Sequence, residues 1–217
     1  MQDSASPLFK NCLITNTSSP FWGGGVSISY NCTPEFVNCV FSGNSAGDGG
    51  ALAVHNSSVA IIINCTFFDN VASLGGGIYI NYSGSITMTN CIMRNDATTE
   101  ITLISGTATV TYSDIEGGYS GTGNKNCDPH FAGAGDYHLT AGSFPCVIDA
   151  GTNFGAPADD IDGDRRPQLT GYDMGCDEFK ELKIPDTSTS TALFLLFMMA
   201  FLLNKFLLKN RCHSLAE

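Results

Sequence analysis

The sequence predicts an all-β fold, a parallel solenoid whose short strands wind through coils of about 26 residues. Three observations carry that prediction. Asn-Cys recurs at 11–12, 38–39, 64–65 and 90–91, in steps of 27, 26 and 26 residues. "FSGNSAGDGGALAV" from Phe41 to Val54 is written again as "FFDNVASLGGGIYI" from Phe67 to Ile80. Apolar residues alternate with period two, and no window holds a helical apolar stripe before the far C-terminus.

Each element follows from its columns. Two residues before the Asn stand Phe9, Phe36, Ile62 and Met88; two after the Cys stand Ile14, Phe41, Phe67 and Met93. Between these apolar columns run Asn11, Asn38, Asn64 and Asn90, predicting a stacked amide ladder at a bend. Cys12, Cys39, Cys65 and Cys91 share the register and read as small buried apolar side chains. Glycine clusters at 23–25, 49–50 and 75–77 supply turns. After them Val26/Ile28, Leu52/Val54 and Ile78/Ile80 point inward, with Ser27, Ala53 and Tyr79 outward. A repeat of two or three strands closes no core alone and stacks on its neighbour.

Composition agrees. With 43% hydrophobic and 14% charged residues the chain is not an acidic disordered protein. A net charge of −11 excludes the clustered Lys and Arg that nucleic acid needs. No cysteine pair has the CxxC spacing of a zinc site. The repeat begins within a dozen residues of Met1, with no apolar signal region before it. The expectation is a C-terminal piece of a longer protein, or a chain truncated at its N-terminus.

Two resemblances sharpen the fold. Phe41/Asn44 with Gly49-Gly50-Ala51-Leu52, and Phe67/Asn70 with Gly75-Gly76-Gly77-Ile78, resemble the repeats of chlamydial-type polymorphic outer membrane proteins. "LITN" with "GGGV" and "IMRN" without glycines are partial copies, so the likeness covers residues 8–95. It implies a right-handed parallel β-helix on a bacterial surface. From Thr107, "SDIEGG", "DPHF", "DYHL", "GSFPCVIDAG", "DGDRRP" and "DMG" resemble the closing segment of secreted bacterial right-handed β-helix proteins. That implies an irregular C-terminal cap and a surface or secreted setting, but no reaction.

The cap holds the candidate ligands. Asp160, Asp162 and Asp164 alternate around a glycine turn as a partial Ca²⁺ loop, while Arg165 and Arg166 offer an Arg-paired alternative. Cys146 and Cys176 lie outside the repeat register and are a candidate disulfide in an oxidising compartment. His130 and His138 read as packing or surface residues. A catalytic reading lacks its clusters. Lys10, Arg94 and Lys125 are the only basic residues of the coils. The acids Glu35, Asp48, Asp69, Asp96, Glu100, Asp114 and Glu116 are scattered, with only Asp69 and Asp96 near one another in register. No catalytic residue is assigned.

After a Pro/Ser/Thr linker, Ala192–Leu203 is uninterrupted apolar and Lys205, Lys209 and Arg211 follow or punctuate it. This predicts an anchoring or sorting helix with its basic end in the cytoplasm. The expected organisation is coils over 1–125, cap over 126–180, linker over 181–191 and apolar helix over 192–211. The expected partners are a membrane through 192–208 and a polysaccharide or surface protein. The expected function is a surface-displayed, membrane-tethered scaffold for adhesion or carbohydrate contact. The alternative is a polysaccharide lyase or glycoside hydrolase of the pectate-lyase-like class, with its catalytic coils outside this chain.

Overall fold

The computed structural model describes residues 4–95 and 99–180, so the linker and apolar helix expected over 181–211 lie outside the described residues. Coil one holds β1 (Leu8–Lys10), β2 (Leu13–Thr15), β3 (Ser18–Trp22) and β4 (Val26–Ile28). Coil two holds β5 (Glu35–Val37), β6 (Val40–Ser42), β7 (Ser45–Asp48) and β8 (Leu52–Val54). Coil three holds β9 (Val59–Ile63), β10 (Thr66–Phe68), β11 (Val71–Leu74) and β12 (Ile78–Ile80). Coil four holds β13 (Gly84–Thr89), β14 (Ile92–Arg94) and β15 (Ile101–Leu103); β16 (Gly106–Thr111) and β17 (Asp114–Ile115) begin a fifth turn. A full coil thus has four strands rather than two or three, because every Asn corner and glycine cluster breaks the extended run. Like strands pair in parallel into four sheets: β1-β5-β9-β13-β16, β2-β6-β10-β14-β17, β3-β7-β11 and β4-β8-β12-β15. Among the described residues no helix is long and apolar enough to cross a membrane.

Stacking in register builds the core. Phe9, Phe36, Ile62 and Met88 face one another across the first sheet. Ile14, Phe41, Phe67 and Met93 do so across the second. The Phe41 and Phe67 rings lie parallel at 4.6 Å. Glycine is required where coils touch: a Cβ on Gly50 would stand 2.3 Å from the Gly76 carbonyl oxygen.

The corner between the first two sheets explains Asn-Cys. Asn11, Asn38, Asn64 and Asn90 all have φ between +49° and +55°, a left-handed conformation that Asn tolerates better than most residues. The thiols do more than fill space. Cys65 Sγ accepts from the Cys39 N–H at 3.3 Å and Cys91 Sγ from the Cys65 N–H at 3.4 Å; Ser113 takes over the role for Cys91 in the fifth turn. The bond to Cys65 and then burial push the Cys39 thiol up, and burial chiefly does the same for Cys65, so both stay protonated.

A second ladder runs through the Asn of each Phe-x-x-Asn motif. Asn44 Nδ2 donates to Asn70 Oδ1 at 2.9 Å, and Asn70 Nδ2 to Asn95 Oδ1 at 2.8 Å. Asn95 donates through its backbone and side chain to the buried Glu100 carboxylate. Burial pushes Glu100 up to about 7 despite those bonds. Asp173, buried beside Glu178, is also pushed up to about 7. Unfolded carboxyls titrate near 4, so the folded chain holds the extra protons between pH 4 and 7. Their stabilisation is therefore full at low pH and lost as pH rises through 7. Melting curves should show the fold more stable at pH 5 than at pH 8 by about 1–3 kcal/mol per group. Glu100→Gln should remove its share of that dependence.

The segment from residue 126 is not a plug on the end of the solenoid, as the word cap implies. It straps the flank. Asn38 Nδ2 donates to the Asp159 carbonyl, Asn64 Nδ2 to those of Asp173 and Gly175, and Asn90 Nδ2 to that of Thr152. Leu139, Val147, Ile148 and Met174 of the strap form a core of their own against Ile92. The Asn-Cys amide ladder is consequently interrupted. Asn38 reaches Asn11 at 3.3 Å and Asn90 reaches Asn64 at 3.2 Å, but Asn64 gives both its amide hydrogens to the strap instead of to Asn38.

Candidate functional site

The outer face of the fourth sheet carries a cleft. Ser27, Ala53 and Tyr79 stack in register there, and the same alternation sets Ser29, His55 and Asn81 on the next outward rung. Although they point outward as expected, Ala53 and Tyr79 are buried. Tyr79 lies against the space that Gly49 leaves without a side chain. A cover of rings closes over the face, with Trp22 5.1 Å, Tyr79 5.9 Å and Tyr82 6.3 Å from His55. Trp22 arrives through an irregularity between Ser19 and Trp22 that sets it opposite Asp48. Such bulges re-aim side chains, and Pro20 sits within it on an edge strand.

The turns beyond these strands repeat one unusual geometry. Tyr30 and Asn31, Asn56 and Ser57, and Tyr82 and Ser83 all have φ between +47° and +61°. Bulky tyrosines seldom adopt it. Backbone bonds from Asn31 N to the Asn56 carbonyl and from Ser57 N to the Tyr82 carbonyl stack the turns. Tyr30, Asn56 and Tyr82 therefore form a column beside the cleft, with both tyrosines exposed.

The cleft measures about 370 Å³ and is lined by Trp22, Tyr30, His55, Asn56, Tyr82 and two serines. That is within the range of roughly 300–1,000 Å³ typical of small-ligand sites. His55 is 3% exposed, yet neither Nδ1 nor Nε2 has a hydrogen-bond partner. Burial lowers its pKa, with the charge of Asp48 pulling weakly the other way, so the ring is neutral at pH 7. Sequence reasoning passed over this cleft. The 26-residue spacing of Tyr30, Asn56 and Tyr82 was a usable signal, but the burial of His55 under Trp22 was not.

A second cleft of about 500 Å³ lies by the strap, lined in part by Arg94, Glu116, Asp128 and Phe131. Its arginine is already engaged. Arg94 Nη2 pairs with the buried Asp114 at 2.6 Å and donates to the Cys127 carbonyl. Asp114 also accepts the Cys127 N–H at 2.9 Å.

The first 136 residues match the family model described as a right-handed β-helix region, more than half of the chain. The chain belongs to the right-handed β-helix family. No curated protein and no solved structure matches it significantly. The parallel sheets and stacked columns give this β-helix its architecture, while the aromatic cleft is a feature of its own side chains.

The strap of the β-helix distributes the predicted ligands differently from expectation. Asp160 is buried and accepts the N–H groups of Asp162, Asp164 and Glu178. Asp162 pairs with His138 Nε2 at 3.0 Å, and Asp164 with Lys180 at 2.7 Å. The three carboxylates are thus sent to different partners, because Asp160 must satisfy its own loop's backbone. Arg166 does not neutralise them either; it pairs with Glu178. His138, read as a packing or surface residue, is partly exposed and bridges Asp136 and Asp162. Burial opposes charge on its ring, but the two carboxylates raise its pKa. His138, Asp162 and Asp177 are a group close enough to share an ion. Of the paired acids of the coils, Asp69 is exposed and Asp96 lies outside the described residues.

The expected disulfide is also corrected. Cys146 bonds to Cys127, their Cα atoms 6.0 Å apart, and Cys176 is a buried free thiol. The strap carries Cys176 back to β10, where its N–H meets Thr66 Oγ1 at 3.0 Å, beside Val40 and Phe68. Cys146 stays near the end of β17, next to Cys127. Reducing the bond frees a 19-residue separation and should lower stability by about 3 kcal/mol. Melting with and without reductant measures the effect.

Proposed function

We propose that this β-helix is an extracytoplasmic, membrane-tethered surface protein whose solenoid contacts carbohydrate. The observation that carries the reading is the aromatic cleft, with exposed Trp22, Tyr30 and Tyr82 around a polar floor. Flat rings beside hydrogen-bonding groups suit a ligand with apolar faces and a polar rim, which describes a sugar ring. The tether rests on the apolar sequence at 192–208 and its basic flank. Polysaccharide cleavage finds less support, since Arg94, a basic residue of the coils, is committed to Asp114.

The full chain, purified in detergent, should bind members of a glycan panel. Trp22→Ala should weaken binding about tenfold or more at an unchanged melting temperature, because it removes exposed stacking surface rather than core. Equal binding by the variant, or no binding to any glycan, would remove the reading. The full chain should also float with lipid vesicles; a chain left at the bottom of the gradient would remove the tether.

A further inference from the structure

We propose that the cleft takes an uncharged sugar ring and that His55 reads one of its hydroxyls, accepting its hydrogen bond through the ring nitrogen that carries no hydrogen. This inference rests on the carbohydrate reading and adds the ligand's charge class and the residue that selects it.

The unsatisfied imidazole is the first argument. Buried polar groups nearly always have partners, and one left without costs about as much as a lost hydrogen bond. His55 leaves both ring nitrogens unmet beneath Trp22, among the residues that line the cleft. A neutral imidazole is one donor and one acceptor. The two nitrogens point apart, so a single pyranose hydroxyl meets the acceptor nitrogen, whereas an apolar ligand has nothing to donate to it. The neighbouring phenol of Tyr79 is already engaged, accepting from Asn81 Nδ2 at 3.0 Å.

Charge is the second argument. Among the described residues no lysine or arginine lines the cleft. The charged group facing His55 is Asp48, at the end of β7, and the other titratable groups around it are the phenols of Tyr30, Tyr79 and Tyr82. A uronate would enter beside a carboxylate with no cation to meet it, on a chain of net charge −11. Neutral hexose units avoid that repulsion and still present hydroxyls. Protonation of His55 would remove its acceptor, so affinity should fall on acidification.

The test titrates the full chain with neutral pentasaccharides of glucose, galactose and mannose, and with pentasaccharides of galacturonate. At least one neutral sugar should bind more tightly than the uronate. Its deoxy analogue lacking the contacted hydroxyl should bind about tenfold more weakly. His55→Phe, which keeps the ring and removes its polar atoms, should erase the difference between sugar and deoxy analogue. The side-chain ¹⁵N signals of His55 in the unaltered chain should shift on binding, a readout that needs no variant to fold. Tighter binding of galacturonate would overturn the charge class. Unmoved His55 signals, with sugar bound and Trp22→Ala impaired, would overturn the role of His55 and leave the carbohydrate reading standing. Absence of binding by every sugar would overturn both.

Discussion

Asn64→Leu should destabilise the β-helix by roughly 3–6 kcal/mol, lowering the melting temperature by roughly 6–24 °C. Two costs add. Asn64 Nδ2 serves the carbonyls of Asp173 and Gly175, and Asn64 Oδ1 accepts from Asn90. Leucine supplies none of these bonds in a fully buried corner; the three groups keep their bonds to Arg166 and Thr152, so each bond lost costs about 0.5–1.5 kcal/mol. Residue 64 also sits at φ +49°, where a leucine pays about 1–2 kcal/mol in Cβ crowding. Asn64→Gly isolates the first cost, since glycine accepts the backbone geometry. Thermal denaturation of the two variants should order them wild type, glycine, leucine. A leucine variant as stable as wild type would show that the strap does not depend on this corner.

Arg166→Met should cost about 3–5 kcal/mol, the usual penalty for removing one partner of a buried ion pair. Arg166 and Glu178 meet at 2.7 Å with side chains almost fully excluded from solvent. Arg166 also donates to the Gly175 carbonyl at 3.0 Å. Glu178 in turn accepts the backbone N–H groups of Gln168 and Asp173. Methionine would leave the Glu178 carboxylate charged and alone beside Asp173. Burial already raises the Glu178 pKa against the pull of Arg166. Without the arginine it should take up a proton, so the defect should shrink from pH 8 to pH 5. Arg166→Met with Glu178→Gln should recover part of the loss, because the amide oxygen keeps an acceptor without the charge. A double variant no better than the single would mean that packing, not charge, sets the cost.

Asn64 lies where the strap meets the coils and Arg166 lies within the strap, and the strap is where sequence reasoning was weakest. Asn-Cys was legible as a repeat because a fixed step brings the same residue to the same corner in every coil. The second amide column, Asn44, Asn70 and Asn95, was equally periodic and was quoted only as a motif; its termination on Glu100 has no repeat to announce it. The strap has no period. Thr66 meets Cys176 and Asn64 meets Asp173 across separations of 110 and 109 residues. Spacing says nothing about such pairs. Cys146 was accordingly matched to the wrong partner, and Arg166 to the wrong carboxylates.

The sequence by itself determined the solenoid: its step, its inward apolar columns, its glycine turns and its Asn bends. Each of these is a local rule repeated at one interval, and stacking turns such a rule into a column. Only the tertiary structure decided where the strap lies, which cysteines bond, which carboxylate holds Arg166, and that Trp22 covers a histidine with no polar partner. Those outcomes depend on which non-repeating side chains are brought together when the chain folds back on itself, and burial and hydrogen-bond satisfaction are settled only by that juxtaposition.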